Sequence, residues 1–428
     1  MKLSVGAILI FALILFSAPL FVLIVSGSGL GLMSIEEDLA IIFFEIFRLT
    51  ESSVLMTLPL FAFAGYLLSE SKTADRLIRL SEAALGWMPG GLVLISLITC
   101  AFFTMLTGGS GVTIVALGGL LYPALTRSNY KDKFSLGLIT SSGSLGLLLP
   151  PAIPLILYGI IAQQMEYQVA IADLFLAGLL PALLMIVVLY FYGVFANRNQ
   201  NIELIPFNFR IFIRSLLESK WELMIPVVIL GGIYSGKLVI SDAAAVTALY
   251  VFIVTVFIKK EIPLKKIPKI AIDSMKMVGG ILLILAVALT FSNYLINADV
   301  PSRLFEFISS KIDSKWQFLI LLNILLLALG AILDIFAAIV IMVPLILPVA
   351  AGFNIHPVHL GIIFVANMQI GYFTPPVGMN LFIASYRFKK SISELYRATF
   401  PFVVILLAVV LLVTYIPWLS LVFIDHAE

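Results

Sequence analysis

Four short stretches hold most of the groups in this chain that could do chemistry. Two lie in the first half: Thr107-Gly-Gly-Ser-Gly-Val-Thr113, and Ser141-Ser-Gly-Ser-Leu-Gly146 followed by Pro150-Pro151. Two lie in the second half: Gly330-Ala-Ile-Leu-Asp334, and Asn367-Met-Gln-Ile-Gly371 followed by Thr374-Pro-Pro-Val-Gly-Met-Asn380. Each interrupts a long apolar run. Proline removes a backbone donor, and glycine permits unwound backbone. The freed carbonyls and nearby hydroxyls suit a hard cation, and exposed helix N-termini suit an anionic group. Such backbone is too costly facing lipid, so the breaks should face protein or a wet cavity. Kinking is the plainer reading of any single break. Two paired breaks favour a binding site.

Asp334 is the only formal charge between Trp316 and Ala351. An ionisable group at membrane depth is expensive and marks function by default. Three roles stay open for it: cation ligand, acceptor for hairpin amides, or proton carrier. Glu45, Arg48 and Glu51 fall three residues apart on one helix face and read as a surface ion-pair set or partner contact. His356, His359 and His426 fall in a loop or tail without metal-ligand partners, and no chemistry is assigned to them. Gly108-Gly-Ser110-Gly111 matches the G-x-S-G pattern around an intramembrane serine nucleophile. That chemistry needs a base within reach, and no histidine lies in an expected helix core. No phosphate-binding G-x-x-x-x-G-K-[ST] loop is present. The expectation is a protein that is not an enzyme.

The elements that must position these groups follow from composition. The chain has 428 residues, 61% of them apolar and 12% charged, with a mean hydropathy of +1.14. A soluble domain carries about 25% charged residues, so a soluble enzyme and a disordered chain are both excluded. A net charge of +2 gives no nucleic-acid surface, and the single Cys100 permits no intrachain disulfide. Apolar stretches recur at about 3–25, 40–68, 91–106, 112–125, 134–162, 171–196, 223–234, 239–258, 277–296, 316–333, 335–351, 359–385 and 399–423. These predict an all-α polytopic membrane protein in the lipid bilayer. The first stretch is too long for a cleaved signal and reads as a retained helix.

Lys2 and the loops at 70–87, 127–133, 196–220, 259–276 and 387–397 carry 21 of the 26 basic residues. The positive-inside rule makes them cytoplasmic. The N-terminus is then cytoplasmic and the C-terminus periplasmic. Parity holds if 91–126 and 316–351 each enter and leave on one side. Their arms of about 14–18 residues suit re-entrant hairpins, and arm length alone separates that reading from two full spans. A shift of 225 residues superposes Pro123 on Pro348, Gly146 on Gly371, Pro150 on Pro375 and Pro151 on Pro376. The hairpins open to opposite sides, which makes the repeat inverted. The first repeat is 1–196, with hairpin 91–126 and broken helix 134–162. The second is 223–428, with hairpin 316–351 and broken helix 359–385. Between them, 197–222 reads as an amphipathic connector, lying at the interface or simply joining the halves.

The sequence resembles the large membrane subunit of the tripartite ATP-independent periplasmic (TRAP) transporters, over essentially the whole chain. The most specific run is His359-Leu-Gly-Ile-Ile-Phe-Val-Ala-Asn367 through Ile370-Gly-Tyr-Phe-Thr-Pro-Pro-Val-Gly-Met-Asn-Leu-Phe-Ile-Ala-Ser385. Leu333-Asp334 and Pro59-Leu-Phe-Ala-Phe-Ala-Gly65 are also similar to the family. Many members have a serine-rich tip where this chain has Thr107-Gly-Gly-Ser-Gly, and PPS where it has Pro150-Pro-Ala152. The resemblance implies an elevator-type fold of the ion-transporter superfamily, driven by a sodium gradient, in a bacterial inner membrane. It implies a small four-helix membrane subunit and a periplasmic substrate-binding protein as partners, and two or more transported sodium ions. Family substrates are small organic anions: carboxylates, sugar acids and sulfonates. By motif position, Gly108, Gly109, Ser110, Ser142 and Gly146 would surround one cation. Asp334, Asn367, Gly371, Thr374 and Gly378 would surround another. Substrate would lie between the hairpin tips, by Thr107, Gly111, Pro150, Pro375 and Asn380. A stand-alone ion-coupled carboxylate carrier of the same architecture is the alternative, and a channel is a third class.

Overall fold

The computed structural model describes residues 10–424 apart from 11, 14, 17, 51, 52, 203 and 313. Every regular element among them is helical. Among the described residues, seven helices are long and apolar enough to cross a membrane; the pair 54–70 and 73–85, bent by 72°, would make an eighth.

Hairpin one consists of Gly91–Thr107 and Ser110–Arg127, and hairpin two of Lys315–Ile332 and Ile335–Gly352. Gly108 makes the first reversal possible. Its φ of +68° is left-handed, and a Cβ there would lie 2.5 Å from Ile153 Cδ1. Broken helix one runs Asp132–Ser142, then a 3₁₀ turn at Leu145–Leu148, then Ile153–Gln164. Broken helix two runs Pro357–Gly371 and resumes at Met379–Phe388.

The 225-residue offset is written into the packing. Ser110–Arg127 starts on Gly109, and Ile335–Gly352 starts on its mate, Asp334. The Pro150-Pro151 and Pro375-Pro376 bonds are both cis. A Cβ on Gly146 would lie 2.1 Å from the Ala101 carbonyl oxygen and 2.5 Å from the Met105 nitrogen. A Cβ on its mate Gly371 would lie 2.4 Å from the Gly330 carbonyl carbon, and Gly330 is the mate of Met105. Each break therefore touches the first arm of its own hairpin, backbone against backbone. Ser144 Oγ donates to the Gln369 carbonyl at 3.1 Å. A residue that meets its own repeat mate lies beside the pseudo-two-fold axis.

Since backbone cannot rotate away, Gly146→Ala and Gly371→Ala are expected to cost about 1–3 kcal/mol each. The check is a thermal melt in detergent against Gly279→Ala. At Gly279 an added Cβ meets nothing within 4 Å, so that variant should melt like wild type.

The hairpins and broken helices pack together and onto Ile171–Ala196 and Ile392–Tyr415. A second group surrounds Ile267–Asn297, which packs on Leu20–Ser34, Ala40–Thr50 and Thr57–Glu70. Thr57–Glu70 in turn packs on Ile240–Phe252. Between the halves, Phe209–Glu218 is amphipathic and is capped by Asn208, whose side chain accepts from the Arg210 and Ile211 amides. The next helix, Lys220–Tyr234, already begins inside the expected connector.

Four sequence expectations need correction. The basic segment 70–87 is a helix, Thr73–Leu85, not a loop. Its Arg76 is buried and ion-paired to Glu222 and Glu261 rather than displayed to solvent. The first apolar stretch does not end at Val25. A helix begins after Pro19 and continues through Ser26-Gly-Ser-Gly29 to Ser34, since isolated glycines weaken a helix without stopping it. The stretch at 40–68 is divided into Ala40–Thr50, a 3₁₀ turn at Ser53–Met56 and Thr57–Glu70. His359 lies in helix Pro357–Gly371, buried between Ser420 Oγ (2.6 Å) and the Thr414 carbonyl (3.2 Å). The side chains of Glu45, Arg48 and Glu51 lie outside the described residues, as do residues 1–9 and 425–428.

Candidate functional site

The two hairpin tips meet at a cavity of about 370 Å³. Hairpin one contributes Gly108, Gly109, Ser110, Gly111 and Val112. Hairpin two contributes Asp334, Ile335 and Phe336, with Tyr372 beside them. Met277, Gly280, Ile281 and Ile284 of the long helix Ile267–Asn297 form the third wall. A second space of about 550 Å³ shares Gly111, Val112 and Ile383 with the first. It runs between hairpin one and the helices Thr57–Glu70 and Ile267–Asn297, past Tyr66, Glu70 and Asp273. On the other side, hairpin two packs against Ile267–Asn297 and Val300–Ser309.

At tip one, no side chain caps the helix that starts at Ser110. Ser110 Oγ donates to Asn380 Oδ1 at 2.8 Å and ties the tip to broken helix two. Two polar atoms there are buried without a partner, Thr107 Oγ1 and Asn380 Nδ2. Orphaned groups of this kind are rare and costly unless something binds them. At tip two, the Asp334 carboxylate accepts from Tyr372 Oη at 2.9 Å and from the Phe336 amide at 3.0 Å. Tyr372 Oη accepts in turn from the Ile335 amide at 2.8 Å. Asp334 thus serves as acceptor for its own hairpin, and its remaining lone pairs are what a cation could use.

The other candidate residues sit behind the tips. The Gly378 amide donates to the Ala331 carbonyl at 2.9 Å, fastening broken helix two to hairpin two. Ser142 and Thr374 bond back to carbonyls of their own segments, Ile139 and Ile370. Gly146 and Gly371 make the close backbone contacts described above, and Pro150 and Pro375 carry the cis bonds. Asn367 has its Nδ2 engaged elsewhere, while its Oδ1 is buried without a partner. Its Nδ2 donates to Asn323 Oδ1 and the Ile363 carbonyl, both at 2.8 Å, and Asn323 Oδ1 also accepts from Thr414 Oγ1. Among the described residues, no three His, Cys, Asp or Glu side chains gather. Carbonyl and hydroxyl oxygens, together with the single Asp334 carboxylate, are therefore the cation donors on offer.

Hairpin one is pinned at its far end by broken helix two. The Tyr122 ring lies 5.0 Å from that of Phe388, tilted by 47°, and its hydroxyl donates to Asp132. Lys390 Nζ bonds Asp132 at 3.0 Å and Glu394 at 3.2 Å, and these carboxylates hold the lysine pKa above its ordinary value.

Sequence reasoning missed Tyr372 and the wall formed by Met277, Gly280, Ile281 and Ile284. The Gly279-Gly280 pair in an apolar run was the one available hint; at neither glycine would a Cβ meet another atom.

The family described as "Tripartite ATP-independent periplasmic transporter, DctM component" matches residues 2–419. The chain belongs to the DctM family. It is therefore the large permease component of a TRAP transporter, a multi-pass membrane protein. Among its relatives is the C4-dicarboxylate TRAP transporter large permease protein DctM of Rhodobacter capsulatus, 36% identical, covering 88% of each chain. Another is the isethionate TRAP transporter permease protein DctMQ of Oleidesulfovibrio alaskensis. It is 33% identical over 88% of this chain and 59% of that longer protein. The ectoine/5-hydroxyectoine large permease UehC of Ruegeria pomeroyi is 28% identical over 97% of both. Among solved structures, the Alcanivorax borkumensis YdaH transporter shares the fold, with a TM-score of 0.60 and 14% identity over 88% of this chain and 89% of that one.

Proposed function

We propose that this TRAP permease component imports a small organic anion together with sodium ions, across a bacterial inner membrane, by an elevator movement. The observation that carries the reading is the meeting of two repeat-related tips at one cavity, one tip with an uncapped helix N-terminus and the other with Asp334. The hairpins and broken helices form the moving body, and the group around Ile267–Asn297 is the body they slide against. On the topology expected from the basic segments, the space beside Glu70 and Asp273 would face the cytoplasm. Two or more sodium ions would bind behind the tips, where unwound backbone supplies carbonyls. Sodium and substrate together favour the conformer that crosses, so coupling is thermodynamic and needs no covalent step. The partners are a small four-helix membrane subunit and a periplasmic binding protein that delivers the substrate. The N-terminus is then cytoplasmic and the C-terminus periplasmic.

The test is uptake of labelled organic acids by proteoliposomes holding the chain and both partners. An inward sodium gradient should raise uptake of at least one acid on the order of tenfold or more over potassium. Equal uptake in the two salts would remove the sodium coupling. Full activity without the binding protein would favour a stand-alone carrier.

A further inference from the structure

A separate cavity of about 230 Å³ lies at the other end of hairpin one, away from the tips. Three segments enclose it: the end of helix Thr73–Leu85 with its cap Gly86, the base of both hairpin arms, and residues 202, 204 and 205 of the connector. The Ile205 amide donates to the Gly86 carbonyl at 3.1 Å and fixes the connector against that helix end. The polar groups of the cavity are few and unspent. Arg127 ends the second arm, is exposed, and enters no ion pair among the described residues. Glu82 enters none there either, and Arg79, one turn earlier, pairs with Glu218. Tyr130 lines the same cavity and is only 4% exposed, and its hydroxyl is buried without a partner. A buried hydroxyl left so is costly unless something binds it.

An apolar track leads away from these groups. On the second arm Leu120, Ala124 and Arg127 are spaced i, i+4, i+7 and so share one face, and Leu120 is exposed. On the first arm Ile98 follows Ile95 by one turn and is exposed as well. Beside the cavity stand the exposed Trp87 and Tyr190, whose hydroxyl donates to the Pro89 carbonyl at 2.9 Å. Trp and Tyr collect where a membrane protein passes the lipid head groups. A cation at head-group level above an apolar track has the shape and polarity of a lipid site.

We propose that this cavity seats the head of a phospholipid, with its phosphate on Arg127 and the Tyr130 hydroxyl, its amine on Glu82, and its acyl chains along Leu120 and Ile98. A guanidinium and a hydroxyl are both donors to phosphate. A carboxylate in the same cavity repels a purely anionic head and favours one that also carries an amine, as ethanolamine does. A choline head keeps the positive charge but has no N–H to donate. The volume falls below the roughly 300–1,000 Å³ that enclose a whole small molecule, so it suits a head group whose tails stay outside. A soluble phosphate ester would leave the apolar track uncovered. The site stands independently of the transport reading. The expected topology places it in the cytoplasmic leaflet.

The experiment uses the full chain in detergent, with native mass spectrometry reading the affinity for added phosphatidylethanolamine, phosphatidylglycerol and phosphatidylcholine. The expected result is that the tightest site takes phosphatidylethanolamine at least about fivefold better than the other two. Arg127→Ala should weaken it about tenfold and Tyr130→Phe about threefold, while the lipid-free melting temperatures match wild type. Glu82→Gln should erase the preference over phosphatidylglycerol. Lys133→Ala removes an exposed basic residue outside the cavity and should change nothing. Equal lipid affinity in wild type and Arg127→Ala overturns the site. Phosphatidylglycerol bound as tightly as phosphatidylethanolamine by wild type overturns the place given to Glu82. Soluble phosphoethanolamine bound as tightly as the lipid overturns the lipid in favour of a water-soluble ligand.

Discussion

On the proposed function, Asp334→Ala is expected to bring sodium-driven uptake to background in proteoliposomes while the protein still inserts, and Asp334→Asn is expected to do nearly the same. The carboxylate holds two positions at once. It caps helix Ile335–Gly352 through the Phe336 amide and accepts from Tyr372 Oη, and it lines the central cavity. Losing the cap costs about 0.5–2 kcal/mol, which a chain of this size tolerates. In the proposed sodium site, losing the charge would remove the one carboxylate that lines the cavity among the described residues. Asparagine keeps the shape and an acceptor oxygen but not the charge, so the pair of variants separates capping from ion binding. The expected loss in initial rate is on the order of 100-fold for both. If Asp334→Asn transports at the wild-type rate, Asp334 is a structural cap only. A sodium titration supplies the second readout. A residual rate in Asp334→Asn should need more sodium for half-saturation, whereas a purely structural defect leaves that midpoint unmoved.

The hairpins and broken helices were legible because their signals are local. Glycine at 108, proline pairs at 150–151 and 375–376, and Asp334 in an apolar run each announce themselves within a few residues. The 225-residue offset linked them into a repeat, and the packing of Gly146 and Gly371 shows why it can be read in sequence. Only glycine fits where two backbones touch. What stayed hidden depends on partners far along the chain. Tyr372 was passed over although it adjoins Gly371, because its role appears only when hairpin two folds back onto it. Met277 and Gly280 reach the cavity from a helix with no break to mark it. His359 was misread because Pro357 looks like loop punctuation, whereas proline is well placed in the first turn of a helix. The segment 70–87 reads as a loop by its basic residues, yet Leu77, Ile78 and Leu80 give it the apolar face of helix Thr73–Leu85.

Arg76 is the most costly of those misreadings, and its removal should destabilise the chain more than any other single surface-read charge. It leaves helix Thr73–Leu85 to bond Glu222, at the start of Lys220–Tyr234, and Glu261, in the loop that follows residues 253–258. The Glu261 carboxylate also accepts from the Lys72 amide at 2.9 Å, and Ser219 Oγ donates to the Arg76 carbonyl at 3.3 Å. Three segments separated by up to 185 residues in sequence are thus joined at one guanidinium. The side chains are only 5%, 2% and 11% exposed. Arg76→Ala leaves two neighbouring carboxylates with no counter-charge, and Glu222 Oε2 already lacks a partner. Breaking a buried pair from one side costs about 3–5 kcal/mol. Arg79→Ala is the control: Arg79 is 55% exposed with Glu218 4.0 Å away, so its loss should stay within about 1 kcal/mol. The triple change Arg76→Met, Glu222→Leu, Glu261→Met should regain most of the stability, because apolar replacements remove the desolvation penalty along with the attraction. Melting curves of the four proteins decide it. An Arg76→Ala melt that matches Arg79→Ala means the triad is no more than a surface contact. Recovery in the triple variant, with transport retained, means that the triad holds the outer helices together and carries no part of the ion chemistry.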